Sequence, residues 1–462
     1  YHYTVGEMHT MNNHKLTIKE TIFIGSMLFG LFFGAGNLIF PIHLGQIAGA
    51  NMWPATIGFL IAAIGFPFLA IIAIGVSKTN GTFEIATRVN KIYAYLFTIA
   101  LFLVIGPFFA LPRLATTSYE IAFSPFITSS TGKVVLPIFS ILFFVVAWFF
   151  ARRPSKILDY VGKFLTPVFL VLLAIVVVLA LIHPLGSVSH APVSADYHHS
   201  ATLKGFIEGY NTLDALSALA FGVIIVATIK KLGIKEPSGI TKETVKSGTI
   251  SIVGMAVIYA LLALMGAMSL GHFKVSENGG IALAQIAQYY LGDYGIIILS
   301  LIIIVACLKT TIGLITAFAE TFNKMFPKVS YLQFATAASL LACIFANVGL
   351  TKIIMYSTPV LMFIYPLAIT LILLTLVSSW FHHSPIVYRF TTYFTMIAAF
   401  FDGVKASPES FANTGFAQSL IHFAEHYIPF FTIGMGWIVP AVVGFIIGLI
   451  VYKLRGGKRA HA

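Results

Sequence analysis

The stretch Gly30-Leu31-Phe32-Phe33-Gly34-Ala35-Gly36-Asn37-Leu38-Ile39-Phe40-Pro41 sets three glycines and an amide inside an apolar segment long enough to cross a membrane. Each glycine costs about 1 kcal/mol against alanine in a helix interior, and hydrocarbon offers no partner to an open backbone group. An interruption there has to face something polar. N–H groups freed at the start of a half-helix attract anions, and carbonyls freed at the end of one attract cations. A helix broken at membrane depth is therefore the usual form of a transporter site. The competing reading is close packing: Gly30 and Gly34 stand four residues apart, as do Gly45 and Gly49, and that spacing lets membrane helices approach closely.

With 58% hydrophobic and 10% charged residues over 462 positions, the chain is not an ordinary soluble globule. Apolar segments recur along its whole length, which predicts an all-α polytopic membrane protein of about twelve helices in one membrane domain. The predicted spans are 20–48, 53–76, 92–118, 134–150, 161–182, 203–229, 246–270, 294–322, 332–347, 354–377, 385–402 and 430–454. A net charge of +12 is a property of nucleic-acid binders, but the basic residues here do not gather on one face. Most of them fall on one side of the membrane, from Lys15 and Lys19 through Lys78, Arg88, Lys91, Arg152, Arg153, Lys156 and Lys163, then Lys230, Lys231 and Lys235, to Lys453, Arg455, Lys458 and Arg459. This asymmetry predicts that both termini are cytoplasmic. Membrane lipid is the expected surrounding, and neither a nucleic acid nor a protein partner is implied.

Residues 1–14 are polar and read as a disordered tail, neither a signal peptide nor a span. Cys307 and Cys343 lie in apolar segments and suggest packing, not a disulfide or zinc site. The histidine-bearing loop 183–200 lacks metal-ligand spacing and reads as solvated. The segment 282–291 reads as an interfacial or vestibule-capping helix. Trp53 and Tyr119 fit an interfacial aromatic belt.

A second interruption is expected in Phe206-Ile207-Glu208-Gly209-Tyr210-Asn211-Thr212-Leu213-Asp214, whose density of polar groups hydrocarbon would reject. The first and sixth spans run in opposite directions and lie five spans apart. That is the pattern of an inverted five-helix repeat. The expected organisation is a first repeat over 15–182, an inverted second repeat over 203–378, two additional helices over 385–454 and a cytoplasmic tail over 455–462.

In the eighth span Cys307, Thr310 and Thr311 share one helical face. Two hydroxyls and a backbone carbonyl suit a hard cation such as sodium, although membrane threonines also bond their own i−4 carbonyls. Lys309 lies inside the same span, where a cation costs at least about 2.5 to 3.5 kcal/mol. It either alternates with a coupling ion, with Asp214 and Glu208 as candidate partners, or snorkels along its stem. Arg113 and Glu120 read as the outer end of the third span, where snorkelling accounts for the arginine, and Gly106-Pro107 reads as a kink. The common signatures of ATP-driven pumps and membrane hydrolases are absent, and no catalytic residue is nominated.

These motifs together resemble the bacterial branched-chain amino acid:cation symporter family over about residues 16–454. The resemblance rests on the run Leu31 to Pro41 with Leu44-Gly45, Gly106-Pro107 with Pro112-Arg113, Gly209 to Asp214, and Lys309-Thr310-Thr311 with Gly313. That family is in turn similar to the leucine-transporter fold of the amino acid/polyamine/organocation superfamily. The resemblance implies a symporter of leucine, isoleucine and valine in a bacterial plasma membrane, without a cofactor. It also implies a sodium site made by carbonyls near Gly30 and Phe33 with Cys307, Thr310 and Thr311. Lys309 departs from the sodium-only pattern and leaves a proton as the alternative coupling ion. On this reading the amides of Gly34, Ala35 and Gly36, beside Asn37, hold a substrate carboxylate. Carbonyls of Gly209, Tyr210 and Asn211 take its ammonium, and Phe102, Phe206 and Tyr210 line its side chain. A membrane-embedded enzyme is the distant alternative.

Overall fold

The computed structural model describes residues 15–153 and 157–456; the N-terminal tail, Lys156, Lys458 and Arg459 lie outside the described residues. The first expected span is divided into α1 (Ile18–Phe32) and α2 (Ile39–Ala48), and the second into α3 (Met52–Leu60) and α4 (Phe66–Ser77), followed by the short α5 (Thr82–Thr87). The third is divided into α6 (Lys91–Leu103) and α7 (Ala110–Phe123), ahead of α8 (Ser129–Ala151) and α9 (Ile157–Ile182). The sixth is divided into α10 (Ala201–Glu208) and α11 (Asp214–Lys231). Then come α12 (Pro237–Ser269), α13 (Gly279–Met325), α14 (Tyr331–Ala346), α15 (Leu350–Leu376), α16 (Pro385–Lys405), α17 (Glu409–Ala412), α18 (Gly415–Tyr427) and α19 (Ile438–Leu454). There is no strand among the described residues.

Six helical stretches are long and apolar enough to cross a membrane, seven with the bent pair α10–α11. The shorter apolar helices Thr166–Ile182, α14 and α19, with α16, which Arg389 and its threonines and tyrosines make less apolar, bring the described residues to eleven stretches, one of which, Ala35–Ser77, joins the expected first and second spans. The α17–α18 pair before the last span was not anticipated. Its polar residues hide an amphipathic pattern that buries only Ala417, Ile421 and Ala424 in α18.

Each interruption has a local cause. In the third span Gly106 leaves helical geometry (φ −110°, ψ −125°) beside Pro107, which has no N–H to give the ladder. In α13 the chain turns at Gly292 (φ 70°), so the residues before it form a separate arm. That arm is the expected 282–291 helix, but it is packed into the protein: Ala282, Leu283, Ala284, Ile286 and Ala287 are buried.

Two bodies emerge from the packing. In the first, α1 and α2 lie along α12, α3 along α10 and α4 along α11. In the second, α7, α8, α9 and α14 lie along α13. Glycines weld the first body. A Cβ at Gly45, Gly58, Gly205 or Gly266 would collide with the backbone carbonyl of Ala263, Thr202, Ala55 or Ile42 respectively. Hydrogen bonds across it run from Ser251 Oγ to the Gly25 carbonyl (2.5 Å) and from Gln46 Nε2 to Ser269 Oγ (3.1 Å). The second body has its own, from Ser300 Oγ to the Ile121 carbonyl (3.3 Å) and from Trp148 Nε1 to Thr336 Oγ1 (2.8 Å).

Two further expectations are corrected. The 183–200 loop keeps His183, His190, His198 and His199 exposed, but its backbone docks on the end of α2. Ser194 N–H donates to the Ile47 carbonyl (3.0 Å), Ala50 N–H to the Ala191 carbonyl (3.3 Å), and Asn51 Nδ2 to the Tyr197 carbonyl (3.0 Å). Tyr119 is buried, stacked on Phe123 at 5.2 Å, and so is not part of a belt, whereas Trp53 is half exposed.

Replacing Gly58 by valine should destabilise the detergent-solubilised protein by about 3 kcal/mol or more, the upper end for overpacking, because its new Cβ meets backbone and not a movable side chain. Gly34→Ala, with nothing within 4 Å of its Cβ, should leave the melting temperature unchanged. A thermal melt followed by size-exclusion fluorescence compares the two.

Candidate substrate site

The α1 ladder ends where Phe33 N–H reaches the Phe29 carbonyl (2.7 Å). Phe33 (φ −83°, ψ 93°) and Gly34 (φ −112°, ψ 142°) are extended. A single turn at Ala35–Asn37 follows, closed by Asn37 N–H to the Gly34 carbonyl (2.9 Å). The amides of Ala35 and Gly36 precede that first bond, as the orphan donors of any helix start do. Gly34 has a φ that any residue adopts, so conformation does not explain its glycine. Space does: a Cβ at Gly30 or Gly34 meets nothing within 4 Å, because both face a cavity. The Gly30/Gly34 pair therefore lines the cavity, whereas Gly45 and Gly49, which press on the Ala263 and Pro192 carbonyls, serve packing.

The sixth span breaks at Leu213, which holds a left-handed conformation (φ 62°, ψ 11°) after a 3-10 turn at Gly209–Thr212. The two halves meet at 49°. Left-handed geometry costs a leucine about 1–2 kcal/mol, and such strain persists where the surroundings enforce it. Here they do. Asn37 Nδ2 donates to Asp214 Oδ1 (2.8 Å), which joins the break of the first span to the start of α11. Arg113 Nη1 donates to the Asn211 carbonyl (2.5 Å), which joins the third span to the end of the 3-10 turn. Both contacts follow the dipoles of the broken span, cation at a carbonyl end and carboxylate at an N–H end.

A cavity of about 320 Å³ lies where these breaks cross. Its walls are the last turn of α1 from Gly30 to Phe33, with Gly34, Gly36 and Asn37; Ala110, Arg113 and Leu114 of α7; the helix 6 break from Thr212 through Asp214 to Ser217, Phe221 and Ile224; and Thr310, Gly313, Leu314 and Ala317 of α13. It extends toward the side of the membrane on which α1 begins and α11 ends. On the other side the Arg113 guanidinium lies 4.9 Å from the Phe40 ring centre, and beyond that ring is a separate cavity of about 70 Å³ lined by His43, Glu208, Glu277 and Asn278.

Gly30, Phe33, Gly34, Gly36, Asn37, Asp214 and Thr310 are brought together around the large cavity. Ala35 is buried beside it. Phe102 stands one layer behind, edge-on to the lining Phe221 at 6.0 Å. Phe206 packs on Phe66 and Tyr210, and Tyr210 stacks on Tyr365 at 4.4 Å, so neither ring lines the cavity. The three carbonyls nominated for an ammonium already accept donors: Gly209 from the Thr212 hydroxyl (2.9 Å), Tyr210 from Leu213 N–H (3.1 Å) and Asn211 from Arg113. Thr310 and Thr311 donate to the Ala306 (3.1 Å) and Cys307 (2.8 Å) carbonyls; Cys307 and Thr311 are buried off the cavity wall. Lys309 is half-buried, off the cavity wall, and forms no ion pair with Asp214 or Glu208; Glu208 sits across the Phe40 partition.

Arg113 corrects the snorkelling expectation: it is 5% exposed, because the break at Gly106-Pro107 restarts the helix at Ala110 and leaves the arginine in the first turn beside the other breaks. Ser217, Phe221 and Ile224, which share one helical face with Asp214 at 3-4-3 spacing, were also missed. So were Leu314 and Ala317 beside Thr310 and Gly313.

Three interrupted helices crossing at a partly polar cavity inside an apolar bundle define a multi-pass membrane transport protein with a leucine-transporter-like fold. The fold is similar to that of an inward-facing Mhp1 structure, at a TM-score of 0.56 and 13% identity, covering 94% of this chain and 90% of that one. A family profile described as "Branched-chain amino acid transport protein" matches residues 17–455. The branched-chain amino acid permease BrnQ of Lactobacillus delbrueckii subsp. lactis is 46% identical, over 96% of this chain and 99% of its own. The permease of the same name from Bacillus subtilis (strain 168) is 44% identical over 96% and 98%. The chain belongs to the branched-chain amino acid transport protein family.

With Cys307 and Cys343 replaced by alanine, Gly313→Cys and Ile224→Cys should react with a hydrophilic maleimide applied on the side of the N-terminus, and Thr311→Cys, at a buried position, should not. Mass shift after one-sided labelling of vesicles reads the result.

Proposed function

We infer that the protein imports branched-chain amino acids across the cytoplasmic membrane by sodium-coupled symport with alternating access. The observation that carries this reading is the joint one of family membership and a cavity held between three helix breaks. The open amides of Ala35 and Gly36 are the carboxylate end of the site, the Gly34 N–H being given to the Phe32 carbonyl (3.1 Å), and Phe33, Leu114, Phe221 and Leu314 offer apolar wall to an aliphatic side chain. That wall separates leucine, isoleucine and valine weakly, since one methylene is worth about 1 to 3 kcal/mol in such a pocket.

The donor set supports a sodium site. Gly30, Phe33 and Thr310 share the cavity wall, and the Thr310 and Thr311 hydroxyls give their protons to i−4 carbonyls, which leaves their oxygen lone pairs free for a hard cation. A bound sodium ion supplies positive charge beside the substrate carboxylate, and one charge entering down 100 mV contributes about 2.3 kcal/mol to accumulation. With the N-terminus cytoplasmic, as the basic residues argue, the cavity extends inward and the conformation is inward-facing. Motion of the first body against the second would exchange access.

Proteoliposomes given sodium and proton gradients separately should accumulate leucine with the sodium gradient and keep doing so when a proton uncoupler is added. Uptake that ignores sodium and collapses with the uncoupler assigns the coupling to protons. Replacing both Thr310 and Thr311 by valine should shift the sodium concentration for half-maximal uptake upward by about tenfold, the equivalent of one or two lost contacts to a charge.

Gly36→Leu should abolish uptake while membrane insertion persists, because even a Cβ there stands 2.9 Å from Leu114 Cδ2 and the rest of the side chain has only the cavity to enter. Flux measured against immunoblotted membrane content separates transport from expression.

A further inference from the structure

Asp214 has one carboxyl oxygen that the contacts within the protein leave unused. Its carboxyl is 3% exposed, and one oxygen, Oδ1, accepts the Asn37 amide at 2.8 Å. The other, Oδ2, is buried with no hydrogen-bond partner, and the residue forms part of the cavity wall. The groups packed round it are Thr212, Asn37, Arg113, Tyr259 and Tyr365. Arg113 lines the same cavity without forming an ion pair with Asp214, its bonded N–H being given to the Asn211 carbonyl. A carboxylate held in such a place by neutral groups, a helix N-terminus and an arginine that forms no ion pair with it is undercompensated, and burying a charge is costly until it is paired. The backbone alternatives for a cationic ligand are already engaged, since the Gly209, Tyr210 and Asn211 carbonyls each accept a donor. The anionic acceptor on the helix 6 side of the cavity is the Asp214 carboxyl, whose Oδ2 takes no donor.

We propose that Asp214 is the residue that recognises the α-ammonium group of the substrate, with Arg113 as the opposing positive pole of the cavity. The site thereby selects a zwitterion and orients it. The ammonium donates to Oδ2; the carboxylate lies toward Arg113 and the amides of Ala35 and Gly36. A molecule with the same aliphatic chain and no ammonium leaves Asp214 unpaired, and one with no carboxylate meets the field of Arg113. A site built to bond a group rejects analogues lacking it far more strongly than a pocket rejects a missing methylene. Asn37 is a positioning residue here: by holding Oδ1 it fixes the carboxyl at the cavity wall and couples substrate recognition to the first break.

This inference rests on the branched-chain reading above, and its test separates the two. The purified full-length chain is titrated with L-leucine, with 4-methylpentanoate, which lacks the ammonium, and with 3-methylbutylamine, which lacks the carboxylate. Wild type should bind leucine at least tenfold tighter than either analogue. Asp214→Asn should weaken leucine about tenfold or more and leave 4-methylpentanoate within twofold, so that discrimination for the ammonium disappears. Asp214→Glu, which keeps the charge but displaces it, should lose part of that discrimination, and it carries the test if the asparagine variant does not fold. Unchanged discrimination in a folded variant overturns the proposal. So does a variant whose sodium or proton dependence shifts while its preference for leucine over 4-methylpentanoate stays, since Asp214 would then serve the coupling ion. Failure of wild type to bind leucine, isoleucine or valine would instead remove the functional reading itself.

Discussion

A membrane helix that stops half-way exposes backbone ends to a medium that cannot solvate them, and the rest of this structure is arranged around that constraint. The sixth span shows it most plainly. Its first half ends in a carbonyl, at Asn211, that would be orphaned in hydrocarbon, and Arg113 meets it. Its second half begins with N–H groups, and Asp214 stands at that end with its side chain tied to Asn37. The arginine itself would be expensive at this depth alone; the carbonyl and the Phe40 ring together offset its burial. Each broken helix thus supplies what another lacks. The same contacts that stabilise the breaks create a cavity with a positive and a negative wall.

How much of this was legible before the structure depends on what each residue type can mean by itself. The first break was readable because glycine and asparagine are poor helix formers inside hydrocarbon, although the extended residues are Phe33 and Gly34 and not the whole of Gly34 to Asn37. The sixth was readable from its polar groups, but nothing marks Leu213 as its apex, since leucine is an unfavourable choice for a left-handed position. Identical glycine spacings meant opposite things: Gly30 and Gly34 leave room for a ligand, while Gly45 and Gly49 receive a neighbouring carbonyl. Only the third dimension distinguishes them. Arg113 was misread for a related reason, because a lone arginine near a span's end snorkels by default and its true depth is set by a helix restart at Ala110.

The helices after α15 do more than add two spans. At one end of α16, Tyr388 accepts from Arg88 Nη1 (2.9 Å), Tyr393 accepts from Asn90 Nδ2 (2.6 Å), and Arg389 Nε donates to the Val89 carbonyl (2.7 Å). The turn between α5 and α6 is held there by both side chains and backbone. At the other end Asp402 Oδ1 accepts Gly436 N–H (3.3 Å) and Lys405 Nζ donates to the Thr432 carbonyl (3.0 Å), which fixes the loop before α19. In that loop a Cβ on Gly434 would come within 2.9 Å of Ile207 in α10. One helix therefore braces the second span's exit and the sixth span's entry on opposite faces of the membrane.

The cross-links of the site differ in what they join, and this bears on how access could alternate. Asn37 and Asp214 lie in helices of the same body, so their bond travels with that body and preserves the relation between the two breaks. Arg113 belongs to α7, packed along α13 in the other body, while its acceptor Asn211 belongs to the first. Relative motion of the two bodies stretches the second bond and not the first. Releasing it would leave a buried carbonyl and a buried guanidinium at once, a cost of about 1.5 to 3 kcal/mol for a charged hydrogen bond, unless another partner arrives at the same moment. On the proposed reading a substrate carboxylate entering between Arg113 and the amides of Ala35 and Gly36 would be such a partner for the guanidinium. The energetic link between ligand binding and movement would then lie in one guanidinium exchanging an internal carbonyl for a ligand's oxygen.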